Sequence, residues 1–468
     1  MNKSFDFIVI GAGSAGLVAA EFAAALGLRV GLIEKSRIGG DCTWTGCIPS
    51  KALLKVGKVA HNAKAAGQYG IGVAQVDTDM TQVRNFLMRA INQVYEGETP
   101  EKLEKKGIEV IFGEARFLDP RTVRVGGHNI SGKKFLLATG AVPLIPPIIG
   151  LDDVPYLTYE TIFENTVLAE HLIVIGAGPV GVEIAQAYRR LGSRVTIIDV
   201  DLLPNYDQDA SKVLASVFGR EGIQFVPGLC LQTEMDGQNV IVSTGEERIS
   251  GDMLLVAAGR TPRVHNLDLE KAGVIYDDGG IKTDKYMRTN SRHIFAAGDA
   301  AGSPQFTHVA GWQGFVAARN ALLPWKENAL RPVLASAIFT DPEIAQAGLS
   351  EAEARKQFGQ NVHVRRSYMY DSDRAIAEKS LDGCLKILHK SNGTILGVTV
   401  VSARAGETIN EFVLAMENGL KVSDLATAIH VYPSYGIDTM RLAGDITLDR
   451  FLSGFRGAVM RQSALRIA

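Results

Sequence analysis

Apolar positions open the chain as a short unbroken run, Phe7 to Ile10, followed by a glycine-rich turn, an alanine-rich stretch and a second apolar run closing on Glu34. The same order returns 165 positions later. IVIGAGSAGLVAAEFAAALGLRVGLIE, from Ile8 to Glu34, stands against IVIGAGPVGVEIAQAYRRLGSRVTIID, from Ile173 to Asp199. Short apolar runs bounded by turn residues predict buried strands, and the stretches between them predict helices. Between the copies, His61 to Lys106 reads as mostly polar and helical, and short strands are predicted around Ile108 to Phe112 and Thr122 to Val125. Phe135 to Gly140 and Leu254 to Gly259 read as further buried strands, each ending on glycine. A third region begins near Pro332, with alternating strands, a helix around Glu351 to Gln357 and a helix-strand-helix ending. The pattern predicts an α/β protein of several domains.

Each repeat carries G-x-G-x-x-G between a strand and a helix, formed by Gly11, Gly13 and Gly16 in the first copy and Gly176, Gly178 and Gly181 in the second. An acid follows 23 residues after the first glycine in both, Glu34 and Asp199. The glycines let the backbone approach a pyrophosphate, the helix N-terminus supplies amide donors, and the acid accepts from a ribose hydroxyl. Two dinucleotides therefore have to be placed. Asp199 would repel a 2'-phosphate, so NADH is favoured over NADPH, although Arg189, Arg190 and Arg194 lie close in sequence.

The 468 residues exceed a single core. With 49 basic against 51 acidic side chains, no global field favours nucleic acid or an anionic membrane, so small-molecule partners are expected. No run approaches the roughly 18 apolar residues of a membrane span. The first strand follows the initial Met so closely that no leader is expected, and the protein is read as cytoplasmic. The tail from Phe451 to Ala468, apolar with spaced arginines, reads as a dimer-packing or frayed terminal helix in preference to a membrane-surface one.

The block Gly39-Gly40-Asp41-Cys42-Thr43-Trp44-Thr45-Gly46-Cys47-Ile48-Pro49-Ser50-Lys51 resembles the redox segment of the pyridine nucleotide-disulfide oxidoreductases, the family of lipoamide dehydrogenase, glutathione reductase and mercuric reductase. Ala138-Thr139-Gly140, Ala258-Gly259-Arg260, Ile294 to Asp299 and Phe339 to Glu343 agree with it. The resemblance implies two Rossmann-like domains, for FAD and NAD(P), plus an α+β C-terminal dimerisation domain. The implied bounds are 1–150 with 271–325 for FAD, 151–270 for NAD(P) and 332–468 for the homodimer contact. Glu34 would bind the adenosine ribose of FAD and Asp299 its ribityl chain, with Thr139 and Gly140 nearby. Gly113 and Ala115 would lie by the adenine, and Gly259 by the nicotinamide cofactor. The resemblance also implies a redox disulfide between Cys42 and Cys47, Cys47 on the flavin side and Cys42 exchanging with substrate, and a Lys51–Glu183 ion pair near the flavin.

C-x-x-x-x-C alone is uninformative, but a thiol of pKa ~8.5 is only roughly 3% ionised at pH 7, so a relay would need something to lower one of the two. Cys230 and Cys384 read as inert apolar fillers. The chain departs from the disulfide reductases near its end. In His430-Val431-Tyr432-Pro433-Ser434-Tyr435-Gly436-Ile437-Asp438, Tyr432 stands at the position of the family's acid-base His and Ile437 at that of its Glu. A Tyr near pKa 10 stays protonated where a His would shuttle a proton. His430, if in a strand, would point with Tyr432, and Asp438 reads as a surface carboxylate. Mercuric reductase also carries a Tyr there, but Arg461 to Ala468 lack its paired cysteines and no metal-binding N-terminal extension is expected. Asp41 and Trp44 depart as well; an anion by Cys42 would raise its pKa, and Trp44 would gate or pack.

The sequence thus predicts a flavin-dependent NAD(P)H oxidoreductase with an unidentified small-molecule acceptor, mercuric ion leading. A dihydrolipoamide dehydrogenase or other disulfide reductase, and a quinone or other metal-ion reductase, are the alternatives. A flavin redox sensor without turnover is the non-enzymatic alternative.

Overall fold

The computed structural model describes residues 3–302, 304–453, 457 and 459. Most of the predicted tail helix lies outside them. The chain packs as two compact units, Met1–Gly176 with Arg190–Asp199 and Gly228–Leu330, and Ala177–Arg189 with Val200–Pro227 and Arg331–Ala468.

In the first unit the predicted strand-turn-helix-strand forms as β1 (Lys3–Ile10), α1 (Ser14–Ala25) and β2 (Val30–Glu34). A five-residue helix α2 (Gly40–Trp44) and a long α3 (Cys47–Lys64) follow, then α4 (Met80–Tyr95) and α5 (Pro100–Lys105). Strands β3 (Ile108–Phe112), β4 (Ala115–Asp119), β5 (Thr122–Val125) and β6 (His128–Leu137) complete a sheet of order β3-β2-β1-β6-β5-β4, with the strand Ile294–Ala296 also beside β6. The strands β3, β2, β1 and β6 run parallel. Phe7 and Val9 of β1 join the core beneath α1 and the helix Thr307–Leu322, while Ile8 and Ile10 join the core on the other face with Phe117 and Phe135. Burial on both faces is why β1 reads as a continuous apolar run. The second repeat's strands His171–Ile175, Arg194–Asp199 and Met253–Val256 are likewise parallel, as the repeat predicts.

The second unit contains a five-stranded antiparallel sheet. Its apolar face is covered by the helices Ala405–Glu417 and Gly436–Ser453, with Phe412, Leu442 and Ala443 in the core. The predicted helix near Glu351 is present as Glu351–Phe358, started by a capping box between Ser350 and Glu353.

Candidate active site

A cavity of about 390 Å³ opens over the C-terminal ends of β1 and β2 in the first unit. Its wall includes Gly11, Gly13, Glu34, Asp41, Cys42, Trp44, Thr139, Gly140, Arg260, Asp299 and Thr307. The crevice beyond the carboxyl ends of parallel strands is where open α/β sheets bind ligands. Gly11 sits at φ 103°, and a Cβ there would stand 2.2 Å from the Ala138 carbonyl oxygen. Gly16 has a different role: a Cβ would stand 1.8 Å from the Gly11 carbonyl oxygen, so it permits the turn to pack on its helix. Both carboxylate oxygens of buried Glu34 accept backbone N–H groups, from Ala12 at 2.9 Å and Ser36 at 2.7 Å. The Gly113 N–H donates to the Glu34 carbonyl at 2.9 Å, and Ala115, the first residue of β4, is buried.

Cys42 lies in α2, and Cys47 is the first residue of α3. Gly46 between them allows the reversal, because a Cβ there would meet the Asp41 carbonyl oxygen at 2.7 Å. Cys47 Sγ is 3.2 Å from Thr307 Oγ1. The hydrogen bond to Cys47, followed by burial, pushes the Cys42 thiol far above its ordinary value. Cys47 stands at the N-terminus of an 18-residue helix, where the dipole favours a thiolate, and Lys51 follows one turn later on the same helix. Burial pushes Cys230 and Cys384 up to about 11, in keeping with inert thiols.

Asp41 does not stand alone beside Cys42. Its carboxylate is 2.6 Å from Arg260 Nη2, and Arg260 Nη1 is 3.0 Å from Asp299. Trp44 both packs and lines the cavity: its indole N–H donates to Ile38 O at 2.7 Å, its ring lies 5.2 Å from Tyr95, and Arg37 stands 4.8 Å above it. Thr307 and the Asp41–Arg260 pair were missed in the sequence. Arg260 had a signal in its Ala-Gly-Arg block; Thr307 had none.

Of the second motif, Gly176, at φ 110°, with Asp199 and Gly259 belong to the first unit, and Gly178, Gly181 and Glu183 to the second. A Cβ on Gly176 would meet the Ala257 carbonyl oxygen at 2.4 Å, repeating the approach seen at Gly11. Arg190 is buried. Glu183 is buried too, and its carboxylate accepts the Phe339 N–H at 2.9 Å.

The segment around Tyr432 in the second unit is a loop, which corrects the strand geometry considered for His430. His430 Nε2 is 2.6 Å from Glu411 and its Nδ1 is 2.7 Å from the Ala428 carbonyl. Tyr432 is 61% exposed and Ile437 only 5%. Asp438 is not a surface carboxylate: it is buried, accepts the Ser372 hydroxyl at 2.6 Å, and is pushed up by burial.

Comparison with known proteins agrees with this architecture. Residues 5–314 match the model for pyridine nucleotide-disulphide oxidoreductases, and residues 334–441 match the dimerisation domain of the same proteins. The chain is 34% identical over 440 residues to a mercuric reductase of Bacillus cereus, covering 92% of this chain and 70% of that one. It is 36% identical over 456 residues to a dihydrolipoyl dehydrogenase of Thermus scotoductus, covering 94% and 97%. The solved structure of the HOCl-induced flavoprotein disulfide reductase RclA from Escherichia coli superposes with a TM-score of 0.85 at 27% identity, covering 94% and 99% of the two chains. A Cu(II) complex of that reductase matches with the same TM-score.

Proposed function

Because the chain belongs to the pyridine nucleotide-disulphide oxidoreductase family and is a flavin-dependent oxidoreductase, we propose that it uses a Cys42–Cys47 couple to deliver two electrons to a soft metal ion, mercuric ion first, rather than to a disulfide substrate. The cavity residues fit FAD. Gly11 and Gly40 leave no space for a Cβ, which would lie 2.2 Å from Ala138 O and 2.8 Å from Gly13 Cα, the close backbone approach that a pyrophosphate requires. Gly11, Gly13 and Gly16 would form its phosphate turn, Glu34 would hold the adenosine ribose, Gly113 and Ala115 the adenine, and Thr139, Gly140 and Asp299 the ribityl side. When bound, FAD supplies two-electron exchange with a nicotinamide nucleotide, the pair of cofactors that members of this family use. Gly176, Gly178, Gly181, Gly259 and Asp199 would hold that nucleotide, with the Asp199 carboxylate favouring NADH. The three-part division at 1–150 with 271–325, 151–270 and 332–468 assigns FAD, NAD(P) and the homodimer contact.

The chain's own part is thiol chemistry. On reduction the Cys42–Cys47 bond takes two electrons and two protons and becomes a dithiol. On oxidation those two electrons pass to the metal ion, reducing Hg(II) to Hg(0), while the S–S bond re-forms and two protons leave. The helix dipole at α3 and Lys51 favour the thiolate on Cys47, and Cys42 is the thiol that exchanges with the acceptor.

The observation that carries the choice of acceptor is the pair Tyr432 and Ile437, one an exposed phenol and the other a buried alkyl side chain. Neither can serve as the neutral-pH acid-base dyad that dithiol release to an organic disulfide uses, a contribution of roughly 10² or more. The mercuric reductase relatives and the Cu(II)-binding neighbour support a metal acceptor. The 36% identity to a dihydrolipoyl dehydrogenase supports the competing reading.

The test is an anaerobic NADH and NADPH titration of the FAD-loaded protein, then challenge with mercuric ion, Cu(II), lipoamide, glutathione disulfide and quinones. The expected result is uptake of four electrons per FAD and cysteine pair, preference for NADH, and fastest turnover with a metal ion, lost in both Cys42→Ser and Cys47→Ser. Faster lipoamide turnover establishes the competing reading. Full turnover in both serine variants moves the chemistry off the cysteines, and negligible turnover with every acceptor favours a redox sensor.

A further inference from the structure

Helix α2, which carries Cys42, is too short to hold itself. It has five residues and an N-cap, Gly39, at φ 101° without a side-chain hydrogen bond. Isolated helices of that length are unstable in water, so its position is set by contacts outside it. Its side chains reach outward at both ends: Trp44 donates to Ile38 O, and Asp41 meets Arg260 at 2.6 Å.

Arg260 is fixed where Asp41 is not. It opens the strand Arg260–Pro262, paired antiparallel with Ala141–Pro143, and hydrogen bonds on either side tie Gly259 O to Leu144 N and Gly140 O to Arg263 N. Its guanidinium lies 5.1 Å from the Tyr159 ring centroid. The two terminal nitrogens go to different carboxylates, Nη2 to Asp41 and Nη1 to Asp299 at 3.0 Å. All three line the cavity, together with Cys42. One planar fork thus ties the residue next to the exchanging cysteine to Asp299, which a single ammonium could not do with the same geometry.

We propose that Arg260 is a positioning residue for Cys42, fixing α2 through Asp41 and offsetting the charge of that carboxylate one residue from the cysteine. The proposal rests on Cys42 being the exchanging thiol. Other groups also face Cys42: Cys47 at the start of α3, Glu98 between α4 and α5, and Thr307 from its helix. Asp299 and Arg37 share the cavity. Arg260, on the same cavity, is bonded to the residue adjoining Cys42. Without it Asp41 becomes a bare anion one residue from a thiol that Cys47 and burial already push up.

The experiment is the pH profile of iodoacetamide alkylation at Cys42, read by peptide mass spectrometry in FAD-loaded protein carrying Cys47→Ser. The visible flavin spectrum reports folding and cofactor retention for each variant. Arg260→Gln should raise the Cys42 pKa by about one unit and slow alkylation at pH 7.5 about tenfold. Asp41→Asn should act in the opposite direction, by about threefold because Asp299 still engages the guanidinium. The double variant should return to within about twofold of the parent, and Arg260→Lys should fall between the parent and Arg260→Gln. A merely structural role moves both single variants the same way. That outcome, or a double variant equal to the sum of two losses, overturns the proposal. Turnover is not measured, so failure here leaves the four-electron titration as an independent test of the cysteine relay.

Discussion

Gly11 and Gly140 both have positive φ and both line the cavity, yet they differ in what surrounds them. A Cβ on Gly11 would stand 2.2 Å from the Ala138 carbonyl oxygen, whereas one on Gly140 would meet nothing within 4 Å. Gly140→Ala should therefore cost only its backbone strain, about 1–2 kcal/mol. Gly11→Ala must also move β6 away from β1, and it should lower the melting temperature further and abolish FAD retention. Thermal melts with and without added FAD check this, and equal losses at the two sites would contradict the packing argument. The glycine spacing was legible because a turn against a pyrophosphate needs particular residues at particular offsets. The Asp41–Arg260 bond was not, because it joins positions 219 apart in the chain. Nor did spacing reveal that Thr307 lies at Cys47.

At the level of elements, periodicity located those long enough to show it. The strands at Ile108–Phe112 and Thr122–Val125 and the helix at Glu351–Phe358 form where the pattern put them. Helix α2 has too few residues to display a period, and the loop holding His430 was open to a strand reading because alternation over so few positions has no unique cause. The strand Cys384–His389 shows another limit. It is buried throughout, but its third residue is Lys386, only 3% exposed, with Asp207 at 2.8 Å, Asp209 at 3.0 Å and Glu351 at 2.8 Å. One cation ties this strand to the helices Gln208–Glu221 and Glu351–Phe358 within the second unit, Asp207 being the cap of the first. Burial lowers the pKa of an isolated lysine, but here the three carboxylates outweigh it and raise it. Lys386→Met should leave buried Asp207 without its ammonium partner, Arg366 still engaging Asp209 and Glu351, and cost about 3–5 kcal/mol, measured by denaturant unfolding. A cost below about 1 kcal/mol would mean that water replaces the ammonium.

Across the whole molecule, no described helix is long and apolar enough to cross a membrane, and yet apolar side chains are concentrated on one exposed loop. Ile429 is 97% exposed, Val431 79% and Tyr432 61%. Leu414, at 65%, and Leu448, at 54%, are further exposed apolar groups of the same unit. Scattered exposed leucines are ordinary, but three large side chains within four residues, held by a loop that His430 pins to Glu411, present a surface that water disfavours. The region lies within residues matching the dimerisation domain, so a second copy of the chain is the expected cover. The loop also contains Tyr432, the residue on which the choice of acceptor turns, so assembly and acceptor use should respond together. Ile429→Asp combined with Val431→Asp leaves every core contact of the unit untouched, because both side chains point into solvent. It should convert the dimer to a monomer in analytical ultracentrifugation, with the melting temperature of the cysteine-bearing unit little changed. Metal-ion turnover should fall at least tenfold while four-electron uptake persists, since the cavity and both cysteines belong to the first unit. A variant that stays dimeric would assign the apolar loop another role, and a monomer with undiminished turnover would separate Tyr432 from the outlet of the cysteine pair.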